Sequence, residues 1–274
     1  MLPIKNGPQI INGRVLHVKE EFKEQLKALG ISAESDWLNH EPGELFNFSL
    51  YTKVYKNKLS SGQVIFCKIY SLKKEPMRYF MRTSKCTSEV RSYQILSKLN
   101  IPTVTPIAVG EERLYGALKS CCIVTIESKN IANLYDFALN TWRLMEPSEK
   151  QKAFKQIHNS LVKYVRKMHS AKFFHYDLKW RNILIDKQDG KYTLSFIDAP
   201  RGKIMKVRHE RGKIVDLSCL SRDALSYLRR SQRFKFLKDY LGKDNGSHEV
   251  KKLWKKIEQH LSRRPPNIIE FPED

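Results

Sequence analysis

Long apolar runs are missing from this chain of 274 residues. The longest, such as Cys121–Ile126, fall far short of the roughly 20 residues that a membrane-spanning helix requires. Residues 1–25 hold Lys5, Arg14, Lys19 and Lys23 among Glu20, Glu21 and Glu24, without an apolar stretch of signal-peptide length. A cytoplasmic chain is the expectation. Cysteine is scarce: Cys67, Cys86, Cys121, Cys122 and Cys219 make an odd number with no CxxC pair, which argues against a disulfide framework and against a zinc site. The 12 glycines and 11 prolines exclude a fibrous or low-complexity chain, and no G-x-G-x-x-G loop is present. Acid is the scarce charge. Asp plus Glu number 29 against 50 Lys plus Arg, a formal charge of +21 that calls for an anionic partner: nucleic acid, an anionic membrane face or a phosphorylated substrate.

What is present is enough apolar and aromatic material, 41% and 11%, to exclude a disordered chain. Val15–Val18 reads as a strand, and Glu20–Leu29 as a helix ended by Gly30 with Phe22, Leu26 and Leu29 on one face. Residues 44–70 read as strands, with a turn at Ser60-Ser61-Gly62 between Thr52–Leu59 and Val64–Tyr70. A helix is expected over 78–99, burying Val90, Tyr93, Ile95, Leu96 and Leu99. Strands at Thr105–Val109 and Cys121–Glu127 follow. Past Glu127 the pattern turns helical. Ser148 is the expected N-cap, with Gln151 completing a capping box, and apolar residues recur at 154, 157, 161, 164/165 and 168. Two β-type runs, Ile183–Ile185 and Tyr192–Ile197, interrupt this character before residues 213–260, which again read as helical. The fold class expected is α+β in two lobes: a β-rich lobe over 1–127 and a mainly helical lobe over 128–274. The join falls near 127–130.

The sharpest motif is His175-Tyr176-Asp177-Leu178-Lys179-Trp180-Arg181-Asn182 followed by Ile183-Leu184-Ile185. It matches H-x-D-L-K-x-x-N before an apolar strand, the catalytic-loop pattern of kinases. Asp177 has the chemistry to orient a hydroxyl or take its proton. Lys179 has the charge to neutralise a transferring phosphoryl group, and Asn182, five residues on, can turn back to a metal on the phosphates. Asp198 ends a second apolar run, 16 residues beyond Asn182, where kinases place a magnesium-binding Asp, although here the sequence is Asp-Ala-Pro-Arg-Gly. Lys68 sits on the apolar run Ile65-Phe66-Cys67-Lys68, with Glu89 21 residues later as its ion-pair partner. The other reading of that pair is a Lys pointing out of an edge strand and an exposed helix charge. In place of a glycine-rich loop stands Pro42-Gly43-Glu44, where Gly43 either meets phosphate through its backbone or forms an ordinary turn.

These stretches resemble the bacterial lipopolysaccharide core kinases, the Kdo/WaaP and InaA-type family, which have a protein-kinase-like fold. The resemblance runs over roughly 40–225 and includes "HYDLKWRNILI", "FIDAPRG" and "VDLSCLSRDA". It implies Asp177 as catalytic base, Asn182 and Asp198 as metal ligands, and Lys68 as the phosphate-binding lysine held by Glu89. It further implies ATP and Mg2+ as cofactors and a heptose or Kdo sugar of the lipopolysaccharide core as acceptor. The place of work would be peripheral, on the cytoplasmic face of the inner membrane. Two basic clusters fit an anionic acceptor or leaflet: Arg201–Lys213, and Lys251, Lys252, Lys255 and Lys256 around Trp254. The second also reads as a solvated face. A protein kinase or another small-molecule kinase is the alternative, weakened by the lack of an A-P-E motif. Nucleic acid is not expected as a partner, because no helix-turn-helix, zinc-finger or RNP motif is present. The oligomeric state stays open.

Overall fold

Alternation of apolar and polar residues builds the first half of the chain, and 3.6-residue periodicity builds most of the second. A computed structural model describes residues 1–36, 39–72, 76–127, 132–242 and 246–263. The chain divides into two compact units, Met1–Ser97 with Thr103–Ser128, and Lys98–Pro102 with Lys129–Asp274. The expected join at 127–130 runs into residues 128–131, outside the described residues.

The first unit is a six-stranded antiparallel sheet with two helices. Its strands are β1 (Gly13–Val18), β2 (Glu44–Ser49), β3 (Thr52–Lys58), β4 (Val64–Ser71), β5 (Thr105–Leu114) and β6 (Ala117–Ile126), in the order β1-β5-β6-β4-β3-β2. Helix α1 (Lys23–Ala28) follows a single 3-10 turn at Glu20–Phe22, so the expected helix begins one turn tighter than an α-helix. Leu26 of α1 joins Ile65, Cys67 and Ile69 of β4 in a buried core, with Phe22 and Leu29 packed against it. The strand period then puts Phe66, Lys68 and Tyr70 on the opposite face of β4.

Helix α2 spans Lys85–Lys98, not 78–99. A 3-10 turn over Pro76–Tyr79 precedes it, Met81 has φ 51°, and the Ser84 hydroxyl accepts the Thr87 N–H at 3.2 Å. That cap fixes the start at Lys85. Val90, Tyr93 and Leu96 are buried as expected, whereas Ile95 and Leu99 are only half-buried. Strands β5 and β6 are longer than the apolar runs suggest. Charged residues continue β5, and Glu111 and Arg113 are fully buried as an ion pair.

The second unit contains β7 (Ala132–Asn133), α3 (Leu134–Asn140), α4 (Pro147–Ser170), β8 (Phe173–Phe174), β9 (Ile183–Gln188), β10 (Lys191–Phe196), β11 (Lys203–Ile204), α5 (His209–Tyr227), α6 (Arg230–Leu241) and α7 (Ser247–Ser262). Helix α4 starts at Pro147, with Glu146 as N-cap in place of Ser148. Proline needs no N–H partner and has its φ preset, so it takes the first helical position. Ile157, Leu161, Val165 and Met168 of α4 are buried. Two small sheets, β10-β9-β7 and β11-β8, interrupt the helices. The architecture is thus α+β, with a β-rich N-terminal and a mainly helical C-terminal part, as the patterning predicts.

Candidate active site

In the first unit Lys68 lies in the middle of the sheet, opposite Val54 on β3 and Ile123 on β6. It is not on an edge. Its Nζ donates to Glu89 Oε2 of α2 at 3.3 Å, and Tyr93 Oη donates to Glu89 Oε1 at 2.6 Å. One α-helical turn separates Glu89 from Tyr93, so the phenol is well placed to fix the carboxylate. Glu89 is 3% exposed, so its charge depends on these two donors. The expected pair therefore forms, with Tyr93 as a third member that its apolar spacing alone presents as core.

Gly43 stands at the start of β2, away from the turn that joins β2 to β3. Its φ is 139°, and a Cβ there would meet the Lys56 carbonyl oxygen at 2.3 Å. Glycine is required for that close approach of two backbones. The structure thus gives Gly43 a packing role and lends no support to phosphate contact. The β2–β3 turn itself carries Leu50 and Tyr51 and no glycine.

In the second unit the catalytic-loop motif runs from β8 to β9. Asp177 is half-buried, and Lys179 Nζ lies 2.8 Å from its Oδ1. Asn182 Nδ2 donates to the Asp177 carbonyl at 2.8 Å and to Asp177 Oδ2 at 3.3 Å. Those bonds turn the Asn182 amide oxygen away from Asp177. The Ile197 N–H donates to the Asn182 carbonyl at 3.0 Å, which ties Asn182 to the residue before Asp198. Asp198 follows β10 with φ 57°, a left-handed conformation uncommon for a non-glycine residue. Gly202 N–H donates to the Ala199 carbonyl at 3.0 Å and closes the Asp-Ala-Pro-Arg-Gly turn. All four expected residues of this unit, Asp177, Lys179, Asn182 and Asp198, thus belong to one hydrogen-bonded stretch of chain.

Two carboxylates of α5 hold the loop, and the sequence reading did not assign them. Asp216, fully buried, accepts the His175 N–H at 2.8 Å, the Tyr176 N–H at 2.7 Å and His169 Nε2–H at 3.2 Å. Asp223 accepts the Trp180 N–H at 2.9 Å. Tyr176, the second of these backbone donors, has φ 62°, so the carboxylate holds a strained backbone immediately before Asp177. The i, i+7 spacing of 216 and 223 puts both on one face, about 10 Å apart at 1.5 Å per residue. That spacing is legible in "VDLSCLSRDA", and it was the available signal. Gly212 brings α5 close to β8: a Cβ would lie 2.5 Å from the Phe174 ring. His175 donates from Nε2 to the Ile197 carbonyl at 3.1 Å. Burial pushes its imidazole below the usual range, against the pull of Asp216, Asp177 and Asp198. It is a neutral structural group between the loop and the Asp198 turn.

Among the described residues no group of three or more His, Cys, Asp or Glu gathers as a metal site. The donors offered, one Asp carboxylate and one Asn amide oxygen, are hard oxygen ligands. They fit Mg2+, which takes few protein ligands and completes its shell with phosphate and water. The basic segment after Asp198 is exposed at Arg201, Lys203, Lys206, Arg208 and Arg211. Glu210 pairs with Lys256 of the second basic cluster.

The model of the lipopolysaccharide kinase (Kdo/WaaP) family matches residues 47–240, which hold Lys68, Glu89, Tyr93, Asp177, Lys179, Asn182, Asp198, Asp216 and Asp223. The chain belongs to that family. This Kdo/WaaP chain is also 26% identical over 156 residues to G protein-coupled receptor kinase 1 of Caenorhabditis elegans, which covers 55% of the chain and 23% of that relative. It therefore spans about a quarter of the length of the curated relative it matches. Among solved structures it is similar to one of WaaP in complex with acyl carrier protein, with TM-score 0.67 and 20% identity, covering 91% of this chain and 98% of that one. The fold of this family member is protein-kinase-like. No helix among its described residues is long and apolar enough to cross a membrane.

Proposed function

We propose that the chain transfers the γ-phosphoryl group of ATP to a hydroxyl of a heptose or Kdo sugar in the lipopolysaccharide core. The observation that carries this reading is the loop from His175 to Asn182, pinned at both ends by α5, in a chain of the Kdo/WaaP family. The Asp177 carboxylate takes the acceptor hydroxyl proton as the oxygen bonds to phosphorus and the bond to ADP breaks. Lys179, beside Asp177, offsets charge on the phosphoryl oxygens. Lys68 binds the α- and β-phosphates, oriented by Glu89 and Tyr93. Asn182 and Asp198 would hold Mg2+. The ion would supply positive charge that offsets the charge of the phosphates. The exposed cations of 201–213 meet phosphates of the acceptor and the anionic leaflet, which would place the chain peripherally on a membrane face. Incubation with ATP and purified lipopolysaccharide core, followed by mass spectrometry of the core, tests this. Phosphate gained on heptose or Kdo, and lost with Asp177→Asn, is the expected result. Phosphate found only on added protein would favour the protein-kinase alternative, which the match to a receptor kinase supports.

One further partner belongs to the same proposal. Helices of the second unit enclose an apolar cavity of about 260 Å3, lined among others by Phe137, Leu161, Trp180, Leu220, Leu237 and Trp254. WaaP was solved with acyl carrier protein. We infer that an acyl chain presented by such a carrier enters this cavity. Native mass spectrometry should show acylated carrier bound, and the same carrier without its acyl chain bound at least about tenfold more weakly, as burial of a few methylenes requires. Equal binding of the two would remove the cavity from carrier recognition.

A further inference from the structure

Besides Met1 and the exposed apolar side chains of β2 and its turn, Leu45, Phe46, Phe48 and Leu50, the first unit has a second exposed apolar group that gathers in one place. Met77, at 66% exposure, Phe80, Met81, Leu114 and Tyr115, at 76%, and Ile11 come from three segments distant in sequence. Backbone bonds join those segments: the Met81 N–H donates to the Gly116 carbonyl at 3.1 Å, and the Gly116 N–H to the Ile11 carbonyl at 2.8 Å. A Cβ on Gly116 would lie 2.7 Å from Met81 Sδ and 3.2 Å from the Phe80 ring, so the turn and the loop are in direct contact.

A buried arginine organises the patch from beneath. Arg113 is 1% exposed and donates to the carbonyls of Tyr79 at 3.0 Å, Gly116 at 2.8 Å and Arg82 at 2.6 Å. Its Nε donates to Glu111 Oε1 at 2.9 Å, and the same carboxylate oxygen accepts the Gln9 and Ile10 N–H groups. One buried ion pair therefore fixes the N-terminal segment, the loop before α2 and the β5–β6 turn. Such rigidity costs desolvation and is not needed to hide these apolar side chains, since they stay exposed.

The exposed charge beside the patch is cationic at Arg78 and Arg82, next to Met77 and Met81. Arg14 is instead paired with Asp36 and Glu112, and Arg113 is buried against Glu111. The two most exposed apolar groups of the patch stand on turns, Met77 in the 3-10 turn before α2 and Tyr115 between β5 and β6. Apolar turns and an aromatic ring on a surface that also exposes Arg78 and Arg82 suit the headgroup layer of an anionic bilayer. We propose that this patch is a docking surface for an anionic lipid membrane, additional to the cations of 201–213. The proposal goes beyond the catalytic reading and uses none of its residues.

Sedimentation with vesicles of phosphatidylethanolamine and phosphatidylglycerol, against vesicles of phosphatidylcholine, tests it on the full chain. Met77→Ser with Tyr115→Ser should lower the partition onto anionic vesicles at least about tenfold, as loss of two partly inserted apolar groups requires. Arg78→Gln with Arg82→Gln should lower it several-fold at low salt and hardly at all at high salt. Lys251→Gln with Lys255→Gln removes the same charge from the exposed face of α7 and should change little. If that control lost as much as the patch arginines, binding would follow net charge alone and the patch would have no part in it. Unchanged partition of the Met77/Tyr115 variant would overturn the proposal. So would a shift from dimer to monomer in light scattering without loss of vesicle binding, which would make the patch a contact between copies of the chain.

Discussion

The two units equip their functional side chains in different ways. In the β-rich unit Lys68 pairs with Glu89 and lies over the Tyr70 ring, and the Tyr93 phenol donates to the same carboxylate. In the helical unit the loop bearing Asp177 donates two hydrogen bonds to the buried Asp216, itself tied to His169 of α4, and another to Asp223, with backbone bonds closing it internally. The difference follows from the local conformation. A strand fixes the direction of Lys68 through its ladder, so one ion pair completes the placement. A loop with left-handed residues at 176 and 198 has no ladder and needs buried acceptors to hold it. In the reading proposed above, the residue that orients a proton demands tighter placement than the residue that attracts phosphate.

The largest effects should come from the loop side. Asp177→Asn keeps the shape and removes the base, and should lower kcat by about 10²–10⁴-fold. Asp198→Ala should abolish phosphoryl transfer with the thermal unfolding midpoint little changed. Steady-state rates within about tenfold of wild type, about 1.4 kcal/mol of barrier, would remove Asp198 from the metal role.

Asp216→Asn sharpens the contrast between placement and chemistry. The amide keeps one acceptor oxygen but strands at least one buried donor, at a cost of about 1–3 kcal/mol in stability. As a positioning residue it should lower kcat and leave KM for ATP unchanged. A variant with wild-type kcat but reduced stability would show that the loop holds its geometry without Asp216.

A smaller loss is expected on the sheet side. Lys68→Met should lower kcat/KM more than Glu89→Ala, and the double variant should lose less than the sum, because coupled partners do not add. Strict additivity would separate the two residues functionally even though they touch.

The smallest effect concerns acid. Burial holds the pKa of His175 below its value in the unfolded chain, so the unfolded state binds a proton that the folded state refuses. Stability is then full above about pH 6.5 and declines as pH falls below it. Between pH 7.5 and 5.5 the wild type should lose more of its unfolding midpoint than His175→Asn. Parallel losses would assign the acid sensitivity to other groups.

Motifs and apolar periodicity were legible in the sequence because both are local. Asp177, Lys179 and Asn182 lie within six residues, and the strands that carry Lys68 and precede Asp198 announce themselves by continuous apolar runs. Helix starts were less legible. Ser148 has the chemistry of a cap, yet Pro147 takes the first position. Strand lengths failed where charge was buried: the expected strand stops at Val109, whereas Glu111 and Arg113 continue β5 as an interior ion pair that also satisfies nearby backbone groups.

The sequence by itself determined the kind of chemistry and the order of the elements that carry it, since residue type, spacing and periodicity act along the chain. Tertiary structure alone decided which groups hold the chemistry in place. Asp216 and Asp223 reach the loop across about forty residues, and Arg113 gathers the carbonyls of Tyr79 and Arg82 from more than thirty residues away. The physical reason is the cost of burying an unpaired polar group. Each buried carboxylate or guanidinium must find donors or acceptors wherever folding brings them, and a one-dimensional pattern does not record that meeting.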